Sequence, residues 1–195
     1  MPRRKRNWRP NMFYHVVMRG NNRQNIYETR EDHMHLMRAF EYTYTKYPFT
    51  ILAYCIMTNH YHLLISSQIE LSKIMAYINR RYSDYYSKRY NHVGRLYEKR
   101  YYSVLAEGPN AILAISNYIH RNPIETTVPL VEKMEDYPYS SFQYYANEKK
   151  QPPRFLDTEL VPSFLPQKFN KSKSAYCHYC LVYRHEVEGE RERVL

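Results

Sequence analysis

The feature that most constrains the fold is a pair of apolar segments separated by a two-residue polar break. Residues 49–57 (FTILAYCIM) form the first apolar run, Thr58 and Asn59 follow it, and residues 60–66 (HYHLLIS) form the second. Short apolar runs are typical of buried strands, and two of them joined by turn-forming residues predict a β-hairpin. We therefore expect residues 49–57 to form a central strand of a sheet and residues 60–66 to pair with it as the second strand of the hairpin.

The flanking segments alternate between strand and helix patterns. Strands are predicted over residues 12–18 and 101–106, and helices from the N-cap residue Thr29 to about Lys46, from Leu71 to about Tyr90, and from Gly108 to Asn122, where Pro123 ends the last one. The order β-α-β-β-α-β-α predicts an α+β domain, an antiparallel sheet with flanking helices of the ferredoxin-like kind. This domain spans residues 1–145 with a basic arm over residues 1–10. Residues 146–195 are rich in proline and polar residues, and we expect a C-terminal extension that binds DNA or packs on the core.

The charge balance favours a polyanionic partner. The 195 residues include 29 Lys and Arg against 19 Asp and Glu, a formal net charge of +10. Such an excess indicates nucleic acid first and an anionic membrane surface second. No apolar run approaches the roughly 18 residues of a membrane-spanning helix, and an odd cysteine count is a poor basis for disulfides. We expect a soluble intracellular protein.

Two histidines in the second hairpin strand could hold a metal ion. Side chains alternate along a strand, so His60 and His62 lie on one face, about 7 Å apart along the strand. Two imidazoles at that spacing can reach one divalent ion. The alternative is that the two side chains are merely exposed or hydrogen-bonded, and the short pattern alone favours that alternative.

The last core helix supplies two further polar groups. One stripe of the helix is made of Ala111, Ala114, Ile115, Tyr118 and Asn122. Small residues allow close approach to a sheet, and Tyr118 and Asn122 lie one turn apart. If this stripe faces His60 and His62, the helix brings a phenol and an amide oxygen to the same place. The alternatives are that Tyr118 fills the edge of the core and that Asn122 belongs to the helix end.

Several groups of residues could bind nucleic acid. The helix over residues 71–90 combines cations with aromatic rings, a mixture suited to phosphates and unpaired bases. Its cations are Arg80, Arg81, Lys88 and Arg89, and its tyrosines are Tyr77, Tyr82, Tyr85, Tyr86 and Tyr90. The N-terminal arm adds Arg3, Arg4, Lys5 and Arg6, and the turn after the first strand adds Asn21, Asn22 and Arg23. A solvated charged surface is the alternative for each of them.

These residues carry a resemblance to a known family. The pattern His60-Tyr61-His62 resembles the HUH signature of single-strand DNA endonucleases. Five segments, in order, resemble REP-associated tyrosine transposases, relatives of small insertion-sequence transposases. They are residues 13–16 (FYHV) with 19–24 (RGNNRQ), 54–64 (YCIMTNHYHLL), 94–97 (GRLY) with Arg100 and Tyr101, 118–123 (YIHRNP) and 137–142 (YPYSSF). The resemblance covers roughly residues 3–145.

The resemblance implies a site, a fold and a reaction. It makes His60 and His62 ligands of Mg²⁺ or Mn²⁺, Asn122 a third ligand, and Tyr118 the nucleophile that forms a 5′-phosphotyrosine. It implies an RRM-like HUH core that cleaves and rejoins single-stranded DNA near hairpin-forming repeats, in the bacterial cytoplasm and at the nucleoid. It adds Arg95 and Arg100 to the expected DNA contacts. A homodimer is implied by the insertion-sequence relatives, and a monomer is the alternative.

The chain also departs from the family pattern. Tyr61 stands where the family more often has an aliphatic residue, Tyr139 where it usually has tryptophan, and Asn122 where insertion-sequence relatives use glutamine. The alternative functions are a non-catalytic single-strand binder and an HUH replication or conjugation initiator. Because imidazole ligands must be neutral, we expect metal-dependent cleavage to weaken below about pH 6.5.

The C-terminal segment contains one lone C-x-x-C pattern. Cys177 and Cys180 have no second cysteine pair nearby. A zinc site completed by His185 is the less favoured interpretation of this lone pattern.

Overall fold

A computed structural model describes residues 8–184. Its strands are β1 (Tyr14–Arg19), β2 (Thr50–Ile56), β3 (His60–Ser66) and β4 (Tyr102–Leu105). Its helices are α1 (Arg30–Lys46), α2 (Leu71–Tyr90), α3 (Gly108–Glu125), α4 (Phe142–Ala146), α5 (Leu160–Ser163) and α6 (Lys173–Val182), with short 3₁₀ turns at Asn21–Arg23 and Met134–Asp136. Arg3, Arg4, Lys5 and Arg6 of the basic arm lie outside the described residues.

The four strands form one antiparallel sheet in the order β2-β3-β1-β4. Strand β3 pairs with β2 through the predicted hairpin and with β1 on its other side. Each helical connection therefore crosses over a neighbouring strand, which is the ferredoxin-like arrangement. The prediction that β2 is a central strand is wrong: β2 is an edge strand, and its apolar sequence is explained by burial against the helices and the C-terminal extension. The predicted α+β class is confirmed, as are all four strands and their order among the three core helices.

Alternation along β3 divides the core into two layers. Tyr61, Leu63 and Ile65 point to the face covered by α1 and α2, while Leu64 points to the face covered by α3. All four side chains are fully buried, and each such burial stabilises the fold by about 1.5–3 kcal/mol. The two-faced burial of β3 explains why its sequence is apolar at successive positions, and it places His62 on the α3 side.

Helix α1 begins at the predicted cap. The Thr29 hydroxyl accepts from the Asp32 backbone N–H at 3.2 Å, and the Asp32 carboxylate accepts from the Thr29 N–H at 2.9 Å, a reciprocal capping box. The same carboxylate accepts from the hydroxyls of Tyr85 and Tyr90 on α2. Burial alone would raise the pKa of Asp32, but these hydrogen bonds outweigh it and lower that pKa. One carboxylate thus joins the start of α1 to the end of α2.

Helix α3 does not end at Asn122 as predicted. It continues to Glu125 with Pro123 inside its last turn. Proline lacks a backbone N–H and is costly in a helix interior, but its fixed φ is helical. Only two residues follow, so the helix loses little by including it.

The described part of the C-terminal extension packs on the sheet and on α4. Residue Ile51 of β2 donates its N–H to the Phe155 carbonyl at 2.7 Å and accepts from Asp157 N–H at 2.9 Å. This pairing covers part of the outer edge of β2, which would otherwise expose unpaired backbone groups. On α6, the buried ring of Tyr176 lies 4.9 Å from that of Tyr145 on α4. Within residues 8–184, no helix is both long and apolar enough to cross a bilayer.

Candidate active site

Three histidines meet on the α3 face of the sheet. In the β1–β3 pairing, Val17 is opposite His62 and His15 is opposite Leu64. His15 and His62 are therefore diagonal neighbours on one face, a separation that aromatic rings bridge. Their rings stack with centroids 5.2 Å apart, and the His60 ring lies 4.8 Å from that of His62.

Each histidine of the HUH pair uses its Nδ1 atom in a hydrogen bond. His60 Nδ1 lies 2.6 Å from the Asn59 side-chain oxygen, and His62 Nδ1 lies 3.0 Å from His15 Nε2. The Nε2 atoms of His60 and His62 are buried and have no hydrogen-bond partner among the described residues. Two buried nitrogens without partners are costly unless a further ligand binds them.

The surroundings keep both imidazoles neutral. Burial, with a smaller contribution from the Arg19 cation, lowers the pKa of His60 to about 3. Burial also lowers the pKa of His62 well below its usual range, helped by His60, His15 and Arg19. A neutral imidazole has the lone pair that a metal ion requires. We therefore expect protonation of these two imidazoles to oppose metal binding only well below pH 6.5.

Tyr118 lies against this histidine cluster. Helix α3 packs on β2 and β3, and it carries the half-buried Tyr118 ring to 5.6 Å from the His62 ring and 5.9 Å from the His15 ring, both edge-on. The small-residue stripe thus faces the histidines. His120, two residues later, points the other way and binds the Tyr176 hydroxyl and Ser141 Oγ.

Asn122 follows Tyr118 by one helical turn and is half-buried. Its Nδ2 donates to the Tyr118 backbone carbonyl at 2.9 Å. That bond uses an amide N–H, so any ligand capacity of this side chain resides in its oxygen. Its role as a third metal ligand stays a prediction.

The donor set suits a divalent ion of the Mg²⁺ or Mn²⁺ type only in part. Imidazole and amide oxygen both occur at Mn²⁺ sites, while Mg²⁺ prefers oxygen ligands. In the part of the chain that the structure describes, no group of three or more His, Cys, Asp or Glu side chains could hold a metal ion. The two unpartnered Nε2 atoms nevertheless fit metal ligands, provided that other oxygens complete the coordination.

Three residues near the site were missed from the sequence. His15, Asn59 and Arg19 contact or polarise the histidine pair. The signal for Asn59 was its adjacency to His60. The signal for His15 was a histidine in the neighbouring strand, which becomes informative only once the strand register is known.

The turn after β1 lies beside the site. Gly20 donates its N–H to the Asn59 carbonyl at 2.8 Å, and Asn59 Nδ2 donates to the Arg23 carbonyl at 3.2 Å. Asn22 and Arg23 both adopt left-handed backbone conformations, with φ of 50° and 57°. The side chains of Asn22 and Arg23 are exposed, and Asn21 is half-buried. This turn thus displays a cation next to the hairpin that carries His60.

The segment between α2 and β4 adds cations at the same end of the sheet. The Leu96 carbonyl accepts from Asn21 N–H, and Glu98 N–H donates to the Arg19 carbonyl. Arg95 and Arg100 on this segment are exposed. The predicted DNA contacts Asn21, Asn22, Arg23, Arg95 and Arg100 are thus grouped near His60.

The predicted contacts on α2 lie elsewhere. Helix α2 covers the sheet face opposite α3, so it is separated from Tyr118 by the sheet. Arg81 lies over the Tyr42 ring at 3.7 Å, Arg80 is 4.0 Å from Asp84, and Lys88 is exposed. Arg89 contacts Glu31 and the Tyr90 hydroxyl.

The stacking role predicted for the α2 tyrosines is wrong for at least one of them. Tyr82 is fully buried and its hydroxyl donates to the Ile26 carbonyl. The Tyr85 ring stacks on that of His35, with centroids 3.7 Å apart, and the hydroxyls of Tyr85 and Tyr90 both donate to the Asp32 carboxylate. Because core packing and the Asp32 carboxylate engage these three side chains, Tyr82, Tyr85 and Tyr90 stabilise the fold.

The C-x-x-C pattern lies on α6, where Cys180 is buried and Cys177 half-buried. Burial raises the pKa of both thiols to about 12, which disfavours the thiolate form that zinc binds. The predicted third zinc ligand, His185, lies outside the described residues.

Comparison with known structures supports the fold. A REP-associated tyrosine transposase bound to a REP hairpin is similar to this chain, with a TM-score of 0.65 and 17% identity over 81% of this chain and 93% of that one. A crystal structure described as that of a transposase from Deinococcus radiodurans is 14% identical and covers 53% of this chain and 85% of that one. Its TM-score of 0.41 is too low to support an argument. Among curated proteins, no sequence matches this chain.

Comparison with protein families identifies the chain. The model of the IS200-like transposases matches residues 9–122, which include the HUH pair, Tyr118 and Asn122 and make up more than half of the chain. The chain therefore belongs to the family of IS200-like transposases.

Proposed function

We propose that this protein is a metal-dependent transposase that cleaves and rejoins single-stranded DNA through Tyr118. The observation that carries the proposal is the contact between the Tyr118 ring and His62, on a surface where two buried Nε2 atoms have no partner among residues 8–184. A non-catalytic binder has no need for a phenol, two neutral imidazoles and an amide in one place. Family membership independently supports a DNA transposase.

His60 and His62 would hold Mg²⁺ or Mn²⁺, with Asn122 as a third ligand. When bound, such an ion stabilises negative charge on the scissile phosphate. The protein contributes neutral imidazoles, because burial lowers the pKa of both histidines. Both ions favour oxygen ligands, so oxygens of Asn122, the phosphate or water would complete the coordination.

The reaction needs only one protein nucleophile. The Tyr118 phenol oxygen attacks the phosphorus, a new oxygen–phosphorus bond forms, and the bond from phosphorus to the 3′ oxygen breaks. The proton lost by the phenol is balanced by the proton gained by the 3′ oxygen. The products are a 5′-phosphotyrosine and a free 3′-OH, and attack by another 3′-OH reverses the sequence and joins a new end.

The substrate we propose is single-stranded DNA beside a hairpin. The similar transposase of known structure is bound to a REP hairpin, and the net charge of +10 suits a polyanion. Arg23, Arg95 and Arg100 are the cations placed to hold phosphates near His60. The arm residues Arg3, Arg4, Lys5 and Arg6, with Arg80, Arg81, Lys88 and Arg89 of α2, would extend the contact. We place the protein on bacterial nucleoid DNA in the cytoplasm, as a homodimer or a monomer.

The decisive experiment traps the covalent intermediate. Single-stranded hairpin DNA, labelled at either its 5′ or its 3′ end, is incubated with the protein and Mn²⁺ and run on a denaturing protein gel. A shifted protein band is expected only with the 3′ label, because a 5′-phosphotyrosine retains the 3′ part of the strand. Binding without any adduct, with Mg²⁺ or Mn²⁺, would favour a non-catalytic binder.

Two variants assign the nucleophile. Tyr118→Phe removes only the hydroxyl and should abolish the adduct. Tyr42→Phe, at a half-exposed tyrosine on the far side of the sheet, is the matched control and should leave it unchanged. An undiminished adduct in Tyr118→Phe would refute the assignment.

A further inference from the structure

The two histidines of the HUH pair are supported in the same way by different residues. In each, the Nδ1 atom is engaged and the buried Nε2 atom has no partner among the described residues. The partners are Asn59, from the hairpin turn, and His15, from the adjacent strand. A metal-ligating imidazole commonly donates its other N–H to such a group, which fixes its tautomer and its orientation.

For His60 the tautomer follows from a short chain of hydrogen bonds. The Arg23 backbone carbonyl can only accept, so the Asn59 amide nitrogen must be the group that faces it at 3.2 Å. The Asn59 oxygen then faces His60 Nδ1 at 2.6 Å and must accept from it. His60 therefore carries its proton on Nδ1, and its Nε2 has a bare lone pair. The left-handed turn containing Arg23 thus determines which nitrogen of His60 is available.

For His62 the partner is itself a histidine, which can donate or accept. An Nε2 lone pair on His62 requires a proton on its Nδ1, and His15 Nε2 must then accept. His15 is 1% exposed and stacks on His62 at 5.2 Å while contacting Tyr118. The His15 Nε2 atom is thus held where it can accept a hydrogen bond from the Nδ1–H of His62.

We propose that Asn59 and His15 are positioning residues that fix His60 and His62 in the Nδ1-protonated tautomer, keeping both Nε2 lone pairs for one metal ion. The inference rests on the proposed function in one respect, namely that these two histidines bind the metal. It goes beyond that function by assigning roles to two residues outside the ligand set, and by linking the turn at Arg23 to the metal site.

The first test requires no variant. Histidine tautomers are read from long-range ¹H–¹⁵N correlations of the full chain at pH 7.5, before metal is added. The inference expects His60 and His62 as neutral Nδ1–H tautomers, with bare Nε2 atoms whose signals broaden first when Mn²⁺ is titrated. An Nε2–H tautomer for either residue would overturn the assignment of its partner.

The second test measures Mn²⁺ affinity without DNA, by electron paramagnetic resonance of the free ion. His15→Phe keeps a ring but cannot accept a hydrogen bond, and Asn59→Leu likewise removes the acceptor. Each should weaken Mn²⁺ binding by about 10- to 100-fold. His15→Gln and Asn59→Asp retain an acceptor oxygen and should recover much of that loss. Affinities within twofold of the parent in the folded Phe and Leu variants would refute the inference.

The metal site and the two positioning roles can be refuted separately. Mn²⁺ binding that persists in the His60→Ala and His62→Ala variants would refute the proposed metal site itself. Binding that those two changes abolish, but that His15→Phe and Asn59→Leu leave intact, would refute only the positioning roles. Thermal unfolding of each variant identifies those that are folded.

Discussion

Removing His120 should flatten the pH dependence of stability, because between about pH 3 and pH 6.5 this histidine is neutral in the folded chain and protonated in the unfolded one. Its Nδ1 lies 2.8 Å from the Tyr176 hydroxyl and its Nε2 lies 2.7 Å from Ser141 Oγ. These contacts tie the rear of α3 to α4 and α6, which holds the Tyr118 side of the helix against the sheet. Burial lowers the pKa of His120 to about 3.

The size of the effect follows from proton linkage. In the unfolded chain His120 has a pKa near the usual value of about 6.5, so below that pH the unfolded state takes up a proton that the folded state does not. Stability is therefore unaffected well above pH 6.5, falls as the pH is lowered through it, and stops falling near pH 3. Between pH 8 and pH 5, this one group costs about 2 kcal/mol of unfolding free energy.

The assay is urea unfolding between pH 8 and pH 5. Near pH 5, His120→Gln should reduce the slope of unfolding free energy against pH by about one proton, or about 1.4 kcal/mol per pH unit. The variant will be less stable at pH 8, because it loses ring packing, but the slope is independent of that offset. His178→Gln on the exposed side of α6 is the matched control. Equal slopes for His120→Gln and the parent would refute the argument.

Three further outcomes are expected. In Gly20→Ala the added methyl would lie 2.5 Å from the Gln24 carbonyl oxygen, so the turn must shift. We expect the unfolding free energy measured in urea to fall by about 1–3 kcal/mol and hairpin DNA to bind more weakly in gel shifts. Values equal to those of the parent protein would contradict the close approach. Asp32→Asn disrupts the capping box and two tyrosine hydrogen bonds, and should lower the unfolding free energy by about 1–3 kcal/mol at pH 7. Because the pKa of the Asp32 carboxyl is lowered, the difference in unfolding free energy between variant and parent should narrow only at strongly acidic pH. Adduct formation with Mn²⁺ should persist at pH 5.5, because burial lowers the pKa of both His60 and His62 well below 6.5, whereas a midpoint near pH 6.5 would contradict these lowered pKa values.

Local patterning was sufficient for the order of elements. The capping residue Thr29, the hairpin turn at Thr58 and Asn59 and the two-faced burial of β3 are encoded within a few neighbouring residues. The end of α3 was misplaced because the local rule for proline is weak in a last helical turn. Local rules place a boundary only to within a few residues.

The roles of the α2 residues could not be predicted from their own segment. Cations and tyrosines interleaved along a helix look the same whether they face DNA or a neighbouring helix. Their partners decide: the Tyr82 hydroxyl donates to the Ile26 carbonyl, in the segment before α1, and those of Tyr85 and Tyr90 donate to Asp32 in the first turn of α1. A DNA-binding surface on α2 could therefore not be predicted from its own sequence, because contacts with distant segments decide which of its side chains are engaged.

The geometry of the candidate site depends on a strand register that local sequence patterns do not predict. Alternation alone puts His60 and His62 on one face of β3, and helical spacing alone puts Tyr118 one turn before Asn122. Neither rule relates β1 to β3, and a slip of one residue in their pairing would carry His15 to the opposite face of the sheet. The observed register, with Val17 opposite His62, brings His15 Nε2 to 3.0 Å from His62 Nδ1. The orientation of His62, a proposed metal ligand, thus depends on the packing that fixes the register of β1 and β3. Core substitutions that shift this register should therefore move His15 and weaken metal binding at His62.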